Sequence, residues 1–490
     1  MGPCVAQKQA LIAVDLGAQS CRVSLLRWNG ERAELRVIHR FPNAPVDEGE
    51  GLRWNIGRIF DGVKTGLKMC AEAAPEGIAS IGVDGWGVDY VRLDEAGRLV
   101  ADPFCYRDAR TAKAVEEVYR RISPEKIYAL TGIQLLSLNT LYQLYADSLA
   151  SADRRARWLN IPEYITLLLG GRLVSEYTNA THTQLVSLGK REWCEEIFAA
   201  VNLELAAAPE IVPTGTAVGE AKGELVSLAA FRGTKLIVPA CHDTASAIGA
   251  IPASGNDDWA FISSGTWSLV GTVLRRPCVT EEARTKNFTN LGGVGGTICF
   301  LKNVNGMWLL QQCMEEWEKL GIRRTMEELI RRCEGMEAPS ALIDVDEASL
   351  LLPGDMPGKI NAQLIAAGKA PVAMNERGIV EMASLIFHSL ANRYAEVLDL
   401  IEKTSGKKLR RLFVVGGGGK NQLLNRLTAE RTGLEVIAGS SECTTIGNFA
   451  IQLAALEENR ADGVRAETVT RYAAELSEIP LVSSDARAGV

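Results

Sequence analysis

The chain has 490 residues, 47% of them hydrophobic and 23% charged, proportions that exclude disordered and fibrous classes and call for two or three domains. Lys plus Arg number 53 against 60 Asp plus Glu, a net charge of −7, which gives no bulk attraction to nucleic acid or an anionic membrane. Its apolar runs fall far short of the roughly 18 residues that would span a bilayer, and Asp15 and Arg22 interrupt the first of them too early for a signal peptide.

In chain order, residues 11–15 form a short apolar strand, Gly17-Ala18-Gln19-Ser20 a turn, and residues 23–28 a returning strand. Asn29-Gly30 is a hairpin turn leading to a third strand over residues 35–40. Ile56, Ile59, Phe60, Val63, Leu67 and Cys70 recur at helical spacing and predict a core-facing helix. Strands follow at 78–83 and 88–93. Pro162 opens a helix that closes at Gly170-Gly171, residues 236–239 are a strand, and a helix begins at Asp243. The polar run 254–258 reads as a linker. Beyond it, strand 260–263, turn Ser264-Gly265-Thr266 and strand 268–273 repeat the opening order, although two hairpins alone leave duplication open. Residues 411–415 form a strand running into Gly416-Gly417-Gly418-Gly419, followed by a helix over 421–432.

Four segments could carry chemistry. The tip Asp15-Leu16-Gly17-Ala18-Gln19-Ser20-Cys21-Arg22 turns backbone N–H groups outward into a concavity suited to phosphate oxygens, with Arg22 for charge-assisted bonds and Asp15 for hydrated Mg²⁺. An ordinary hairpin with a turn-capping Asp has the same residues. The glycine run 416–419 is not a Walker A loop, because Val414 and Asn421 stand where Gly and Ser or Thr belong, and it does not fit G-x-G-x-x-G. Four glycines still let backbone approach a ring or phosphate, and their entropic cost favours a ligand over a plain flexible connection. In His242-Asp243-Thr244-Ala245-Ser246-Ala247 a carboxylate sits at a strand's C-terminal end, where α/β folds bind ligands. Asp is also a favoured N-cap, and on these residues alone that reading stands ahead. The helix N-terminus should depress its pKa; in phosphoryl transfer such a carboxylate orients the hydroxyl and takes its proton late. Finally, Asp84-Gly85-Trp86-Gly87-Val88-Asp89-Tyr90, then Tyr106-Arg107-Asp108 and Arg110, interleave aromatics, carboxylates and glycines as polyol sites do. A core tryptophan among surface charges is the plain alternative. Eleven single cysteines without C-x-x-C read as reduced thiols of a cytoplasmic protein, and four unclustered histidines argue against zinc.

Together these residues resemble the FGGY-type carbohydrate kinases, which share a two-domain fold with actin, hexokinase and the heat-shock ATPases. Asp15–Arg22 is similar to the family's first phosphate loop, Asp84–Tyr90 to a sugar-site motif, and Cys241–Ala247 to its catalytic segment. Ser264-Gly265-Thr266-Trp267-Ser268 resembles the second phosphate loop, and Asn303-x-x-Gly306-x-Trp308-Leu309-Leu310-Gln311 a further stretch. Gly416-Gly417-Gly418 and Thr444-Thr445-Ile446-Gly447-Asn448 look like the adenine-side glycine loop and the segment behind it. The motifs run in order from about residue 10 to about residue 455. Cys21, Gln19, Gly85 and Lys420 depart from the usual residues.

The resemblance implies an α/β protein of two actin-like (ribonuclease H-like) domains with a catalytic cleft between them. Residues 1–256 would bear the sugar site and catalytic base, residues 257–490 the nucleotide. Asp243 is implied as the base, and Trp86, Gly87, His242, Asp243, Thr244 and Asn303 as sugar contacts, His242 orienting the sugar rather than acting as a base. Ala18, Gln19, Ser20, Cys21, Arg22 and Thr266 are implied at the ATP phosphates, Gln311 and Gly417 at the nucleotide, and Asp15 at Mg²⁺. The implied reaction is ATP-dependent phosphorylation of the 1-hydroxyl of L-rhamnulose, with L-fuculose or L-xylulose as alternative ketoses. A non-catalytic actin-like sugar sensor ranks below, because Asp243 is present. The expected partner is a small-molecule ketose, with no nucleic acid or membrane, acted on by a cytoplasmic monomer or small homo-oligomer.

Overall fold

The computed structural model describes residues 9–28, 33–47, 49, 51–150, 153, 155–253, 257–478 and 481–483. The Asn29-Gly30 turn and residues 254–256 of the expected linker lie outside the described residues. Strand β1 (Gln9–Leu16) is buried from Ala10 through Leu16, as a central strand with both faces covered must be. It pairs antiparallel with β2 (Ser20–Trp28), which pairs antiparallel with β3 (Ala33–Pro42). Helix α1 (Ile56–Ala73) starts at Asn55, whose side chain accepts from Arg58 N, and buries Ile56, Ile59, Val63, Leu67 and Cys70. Gly66 lets it lie on the sheet, since a Cβ there would come within 2.5 Å of Val23 Cγ2.

Strand β4 (Ile78–Gly85) runs parallel to β1 on its other side. The strand expected over 88–93 shortens to Tyr90–Leu93, because Val88 turns into the left-handed region at φ 67°. The helix expected from Pro162 spans Ile161–Leu168 and is followed by Gly170 at φ 120°. A short helix α2 (Tyr177–His182) precedes strand β5 (Lys235–Ile237) and helix α3 (Asp243–Gly249). The first sheet has the order Ala217–Glu220, β5, β4, β1, β2, β3, Leu481–Ser483.

A second sheet repeats the core of the first. Strands β6 (Trp259–Ser264) and β7 (Trp267–Leu274) are antiparallel, and β8 (Arg411–Val415) runs parallel to β6. The arrangement β7–β6–β8 thus reproduces β2–β1–β4, which answers the duplication question that two hairpins left open. Helix α4 (Gln422–Thr432) is capped by Asn421, whose side chain accepts from Leu424 N, so the expected first residue of the helix is its cap.

Two further helices follow, α5 (Cys443–Glu458) and α6 (Ala466–Ser477), before the edge strand Leu481–Ser483. The molecule divides into a first unit of Met1–Ser254, Val273–Cys299 and Glu442–Val490, and a second of Gly255–Thr272 and Phe300–Ser441. The expected boundary at 256/257 lies within two residues of the first crossing. Residues 273–299 and 442–490, expected in the second domain, instead belong to the first unit. The physical reason for 442–490 is α5: it packs on α3, β1 and β4, and its Gln452 Nε2 donates to Ile12 O at 2.9 Å. Residues 273–299 are held by strand Thr289–Gly292, where Asn290 Nδ2 donates to Gly132 O at 3.1 Å and Gly292 N to Thr181 Oγ1 at 2.8 Å. Among the described residues no helix is long and apolar enough to cross a membrane, and all ten described cysteines are free.

Candidate active site

In the first unit, Asp15 and Asp84 occupy matched register positions at the ends of adjacent parallel strands. Both are buried; Asp84 Oδ1 has no hydrogen-bond partner, and Asp15 Oδ2 faces Arg22 Nε. Burial pushes Asp15 up to about 6, helped by Asp243 and Glu442 and opposed by Arg22. Burial and the Asp15 charge lift Asp84 well above the usual carboxylate range, although Asn448 Nδ2 donates to its Oδ2 at 3.0 Å. Arg22 lies opposite Asp15 in register and pairs with Asp15 at 3.2 Å and Glu442 at 2.5 Å. The guanidinium expected at the phosphates is thus held between two carboxylates.

The tip between β1 and β2 is a close turn: a Cβ on Gly17 would come 2.5 Å from Ser20 O. Gln19 is exposed, Ala18 and Ser20 are half-buried, and Cys21 is fully buried. Because Cys21 points into the core, its side chain does not crowd the tip. Burial pushes its thiol up to about 12, so it stays protonated and unreactive at neutral pH.

Asp243 is the first residue of α3, and His242 holds the capping position with no side-chain cap bond. The N-cap reading is therefore overturned. So is the expected lowering of its pKa: although 32% of the side chain is open, crowding by protein atoms desolvates the carboxylate and raises it to about 6, against the lowering bonds of Thr244 and the charge of Arg22. A helix of seven residues has too small a dipole to reverse this. Thr244 Oγ1 donates to Asp243 Oδ1 at 3.2 Å, and His242 Nε2 lies 3.6 Å from the same oxygen.

Burial pushes His242 down to about 4 and His182 well below its usual value, so both imidazoles are neutral at physiological pH. They stack with centroids 4.2 Å apart. His182 packs against Gly87 so tightly that any Cβ at 87 would collide with Nδ1. Trp86 lies 4.5 Å from Trp54, centroid to centroid. Asp89 accepts from Trp54 Nε1 at 2.6 Å, Trp86 Nε1 at 3.0 Å, Tyr106 N at 3.2 Å and Gln143 Nε2 at 3.1 Å. Its lone pairs are taken by protein donors, so Asp89 fixes the two indoles. Arg110, from the same expected sugar segment, is spent on Asp147 at 2.5 Å.

In the second unit, Thr266 sits at the β6–β7 tip. The segment after strand Ile298–Asn305 folds against it, with Met307 N donating to Gly265 O and Trp308 N to Thr266 O, both at 3.2 Å. A Cβ on Gly306 would come 2.7 Å from Thr266 O. Asn303 is half-buried in the preceding strand, and Gln311 is exposed in the first turn of helix Trp308–Lys319. The glycine run is a tight turn rather than a flexible loop. Gly416 has φ 82°, Gly418 packs on Ser264, and Gly419 approaches Val414 O. Gly417 alone has nothing within 4 Å of a Cβ position, so packing explains three of the glycines and leaves the fourth facing open space.

The family model described as the FGGY family of carbohydrate kinases, N-terminal domain, matches residues 10–249, and that of its C-terminal domain matches residues 260–456. The chain belongs to the FGGY family of carbohydrate kinases. It is 38% identical to the rhamnulokinase of Bacteroides thetaiotaomicron over 91% of this chain and 90% of that protein. With the rhamnulokinase of Halalkalibacterium halodurans it shares 37% identity over 91% and 94%. Its fold is that of solved sugar kinases. The gluconate kinase from Lactobacillus acidophilus superposes with a TM-score of 0.73 at 17% identity over 96% and 97% of the two chains. Plasmodium falciparum glycerol kinase with ADP gives 0.72 at 14% over 97% and 94%.

Several residues of this carbohydrate kinase's first unit escaped the sequence. Glu176 Oε2 accepts from Thr178 N at 3.0 Å and Cys241 N at 2.9 Å, and Oε1 from Thr214 Oγ1 at 2.5 Å. It thereby ties α2, which ends at His182, to the segment that ends at Asp243. Glu442, Trp54 and His182 were missed too, and Asn448, expected behind the adenine-side loop, instead donates to Asp84. A buried charged or polar run such as Glu176-Tyr177-Thr178-Asn179 is the only signal the sequence holds, and it names no partner.

Proposed function

We propose that this carbohydrate kinase transfers the terminal phosphoryl group of ATP to the 1-hydroxyl of L-rhamnulose, giving L-rhamnulose 1-phosphate and ADP. The observation that carries the reading is the position of Asp243: one carboxylate 3.6 Å from His242, which stacks on His182, and within electrostatic reach of Asp15 and Arg22 at the phosphate-type tip. The rhamnulokinase relatives, similar over nine-tenths of the chain, support the choice of ketose.

Asp243 accepts the proton of the attacking hydroxyl. A pKa raised to about 6 leaves it ionised at neutral pH while making it a stronger base than a free aspartate. The neutral imidazoles of His242 and His182 offer hydrogen bonds that orient hydroxyls without competing for the proton. Trp86, Gly87, Thr244 and Asn303 complete the sugar contacts. Ala18, Gln19, Ser20, Cys21 and Arg22, with Thr266, Gln311 and Gly417, are assigned to ATP; Cys21 and Arg22, whose side chains are buried or paired and whose strand is flanked by β1 and β3, serve by shaping the tip.

The residues fit Mg²⁺: Asp15 and Asp84 are buried, in register and repel one another; Asp84 Oδ1 has no hydrogen-bond partner, and Asp15 Oδ2 faces Arg22 Nε at 3.2 Å. Such hard oxygens, with water and phosphate filling the remaining positions, are what this ion takes. Bound there, it would neutralise phosphate charge. The enzyme is read as cytoplasmic, a monomer or small homo-oligomer, without nucleic-acid or membrane partners.

The test is ADP release by the purified protein with Mg²⁺-ATP across L-rhamnulose, L-fuculose and L-xylulose. L-rhamnulose is expected to give the highest kcat/KM. A higher value for either other ketose replaces the substrate, and ADP release indifferent to sugar ends the kinase reading.

A further inference from the structure

We propose that the first unit carries an anion site, separate from the residues assigned to sugar and ATP, that takes a small phosphate ester. A cavity of about 390 Å³ opens there between four places in the chain, lined by Arg191, Arg275, the Gly295-Gly296-Thr297 turn, and residues 460 and 462–467 with Arg460 and Arg465. In a protein of net charge −7, four guanidiniums around one hollow are a local reversal of sign.

The charges divide into those already matched and those left over. Arg460 pairs with Asp462 at 2.5 Å and Arg465 with Glu458 at 2.8 Å. Arg191 and Arg275 have no carboxylate within ion-pair distance among the described residues; Arg191 meets the Asp462 carbonyl at 3.5 Å, interacts through space with the Asp462 carboxylate and lies over the Tyr177 ring. Against these two guanidiniums stands one lining carboxylate without an ion pair, Glu467, which is exposed. The hollow also receives the start of α6, a helix of twelve residues whose capping residue, Arg465, makes no side-chain cap bond. Its first N–H groups therefore add partial positive charge. Gly295, at φ 68°, brings the turn so close that a Cβ would sit 2.7 Å from Ala466 N.

Two unmatched guanidiniums and a helix start are the donors that a phosphate dianion takes, because each guanidinium can bond two of its oxygens. The volume lies within the range of small-molecule pockets. It exceeds what a bare phosphate fills, and its polar walls suit the hydroxyls of a sugar-sized remainder. The ligand class is thus a phosphorylated polyol or sugar. Helix α6 packs on α3, which carries Asp243 at its head, so occupancy has a physical route to the catalytic carboxylate.

Calorimetric titration of the full-length protein, its active site saturated with ADP and ketose, tests this with three probes: glucose 6-phosphate, inorganic phosphate and glucose. One saturable site for glucose 6-phosphate is expected, with inorganic phosphate at least tenfold weaker and glucose silent. The double variant Arg191→Ala/Arg275→Ala should weaken the ester at least tenfold while kcat and both KM values without it stay within twofold. Glu467→Gln should tighten it, which keeps the test informative if the double variant fails to fold. Absence of saturable binding, or binding that neither variant moves, overturns the site; equal affinity for inorganic phosphate overturns the assignment to an ester.

Discussion

At the scale of the residue, the proposed chemistry turns on how strongly Asp243 holds a proton. An aspartate at a helix start would ordinarily be a weak base, but desolvation here outweighs the helix and lifts it to about 6. Replacing it by Asn keeps the shape and removes the base. A positioned base contributes roughly 10²–10⁴-fold, so Asp243→Asn should lower kcat by that order with the KM for ATP within twofold, measured by ADP release. The carboxylate must be ionised to act, so activity is full above the raised pKa and falls as pH drops through it. An acid limb near pH 6 is therefore expected in kcat/KM for the ketose, shared with Asp15, which interacts with Asp243 and is raised to the same value. His242 titrates near 4, below that limb, so His242→Gln should lower sugar affinity and leave the limb in place. A limb that disappears with His242 would transfer the base to the imidazole.

At the scale of the element, the turn that carries the proposed base is held from several directions. Gly85 N donates to Cys241 O at 3.0 Å, Cys241 N to Glu176, His242 N to Thr178 Oγ1 at 3.4 Å, and Ser246 Oγ to Ala240 O at 2.8 Å. Glu176 also begins α2, and so fixes both stacked histidines through one carboxylate. Glu176→Gln keeps the volume but turns an amide toward donors. The expected result is a folded enzyme whose kcat falls about tenfold, about 1.4 kcal/mol of lost orientation, with the KM for ATP unchanged. Equal loss of kcat and of thermal stability in Glu176→Gln, without rescue in Glu176→Asp, would make the residue merely structural. The sequence made the turn itself legible: a strand, then Asp243 opening a helix, with β1, β2, α1 and β6–β8 close to their observed limits. It did not make Glu176 legible, because Cys241 lies 65 residues away, and a carboxylate whose lone pairs are filled locally and remotely leaves no periodic mark. The sign of the Asp243 shift was hidden likewise, since a helix start is written in the sequence and desolvation is not.

At the scale of the whole molecule, the chain returns to its first unit after building the second. The signal for this was weak, because α5 is apolar nearly all round and such a helix can be buried anywhere. Polar groups decide where it goes. Asn448 donates to Asp84, Gln452 Nε2 to Ile12 O, and Ser80 Oγ to Gln452 Oε1 at 2.6 Å. Gly82 and Gly447 are needed for the approach, as a Cβ at 82 would come 2.5 Å from Asn448 Oδ1 and one at 447 would collide with Ser246 O. Ile446, Phe449, Ile451 and Leu453 are buried in the same helix. At about 1.5–3 kcal/mol each, these four contribute about 6–12 kcal/mol, comparable to the whole stability of a typical domain. A fragment of residues 1–256 lacks all of this, exposes the α5-facing side of α3 and β4, and leaves Asp84 without its Asn448 donor. It is expected to show no cooperative thermal transition and no near-ultraviolet dichroism, whereas the full chain shows both. A cooperative melt of that fragment would mean that α5 is an accessory to the first unit, and that Asp84 is held in place without it.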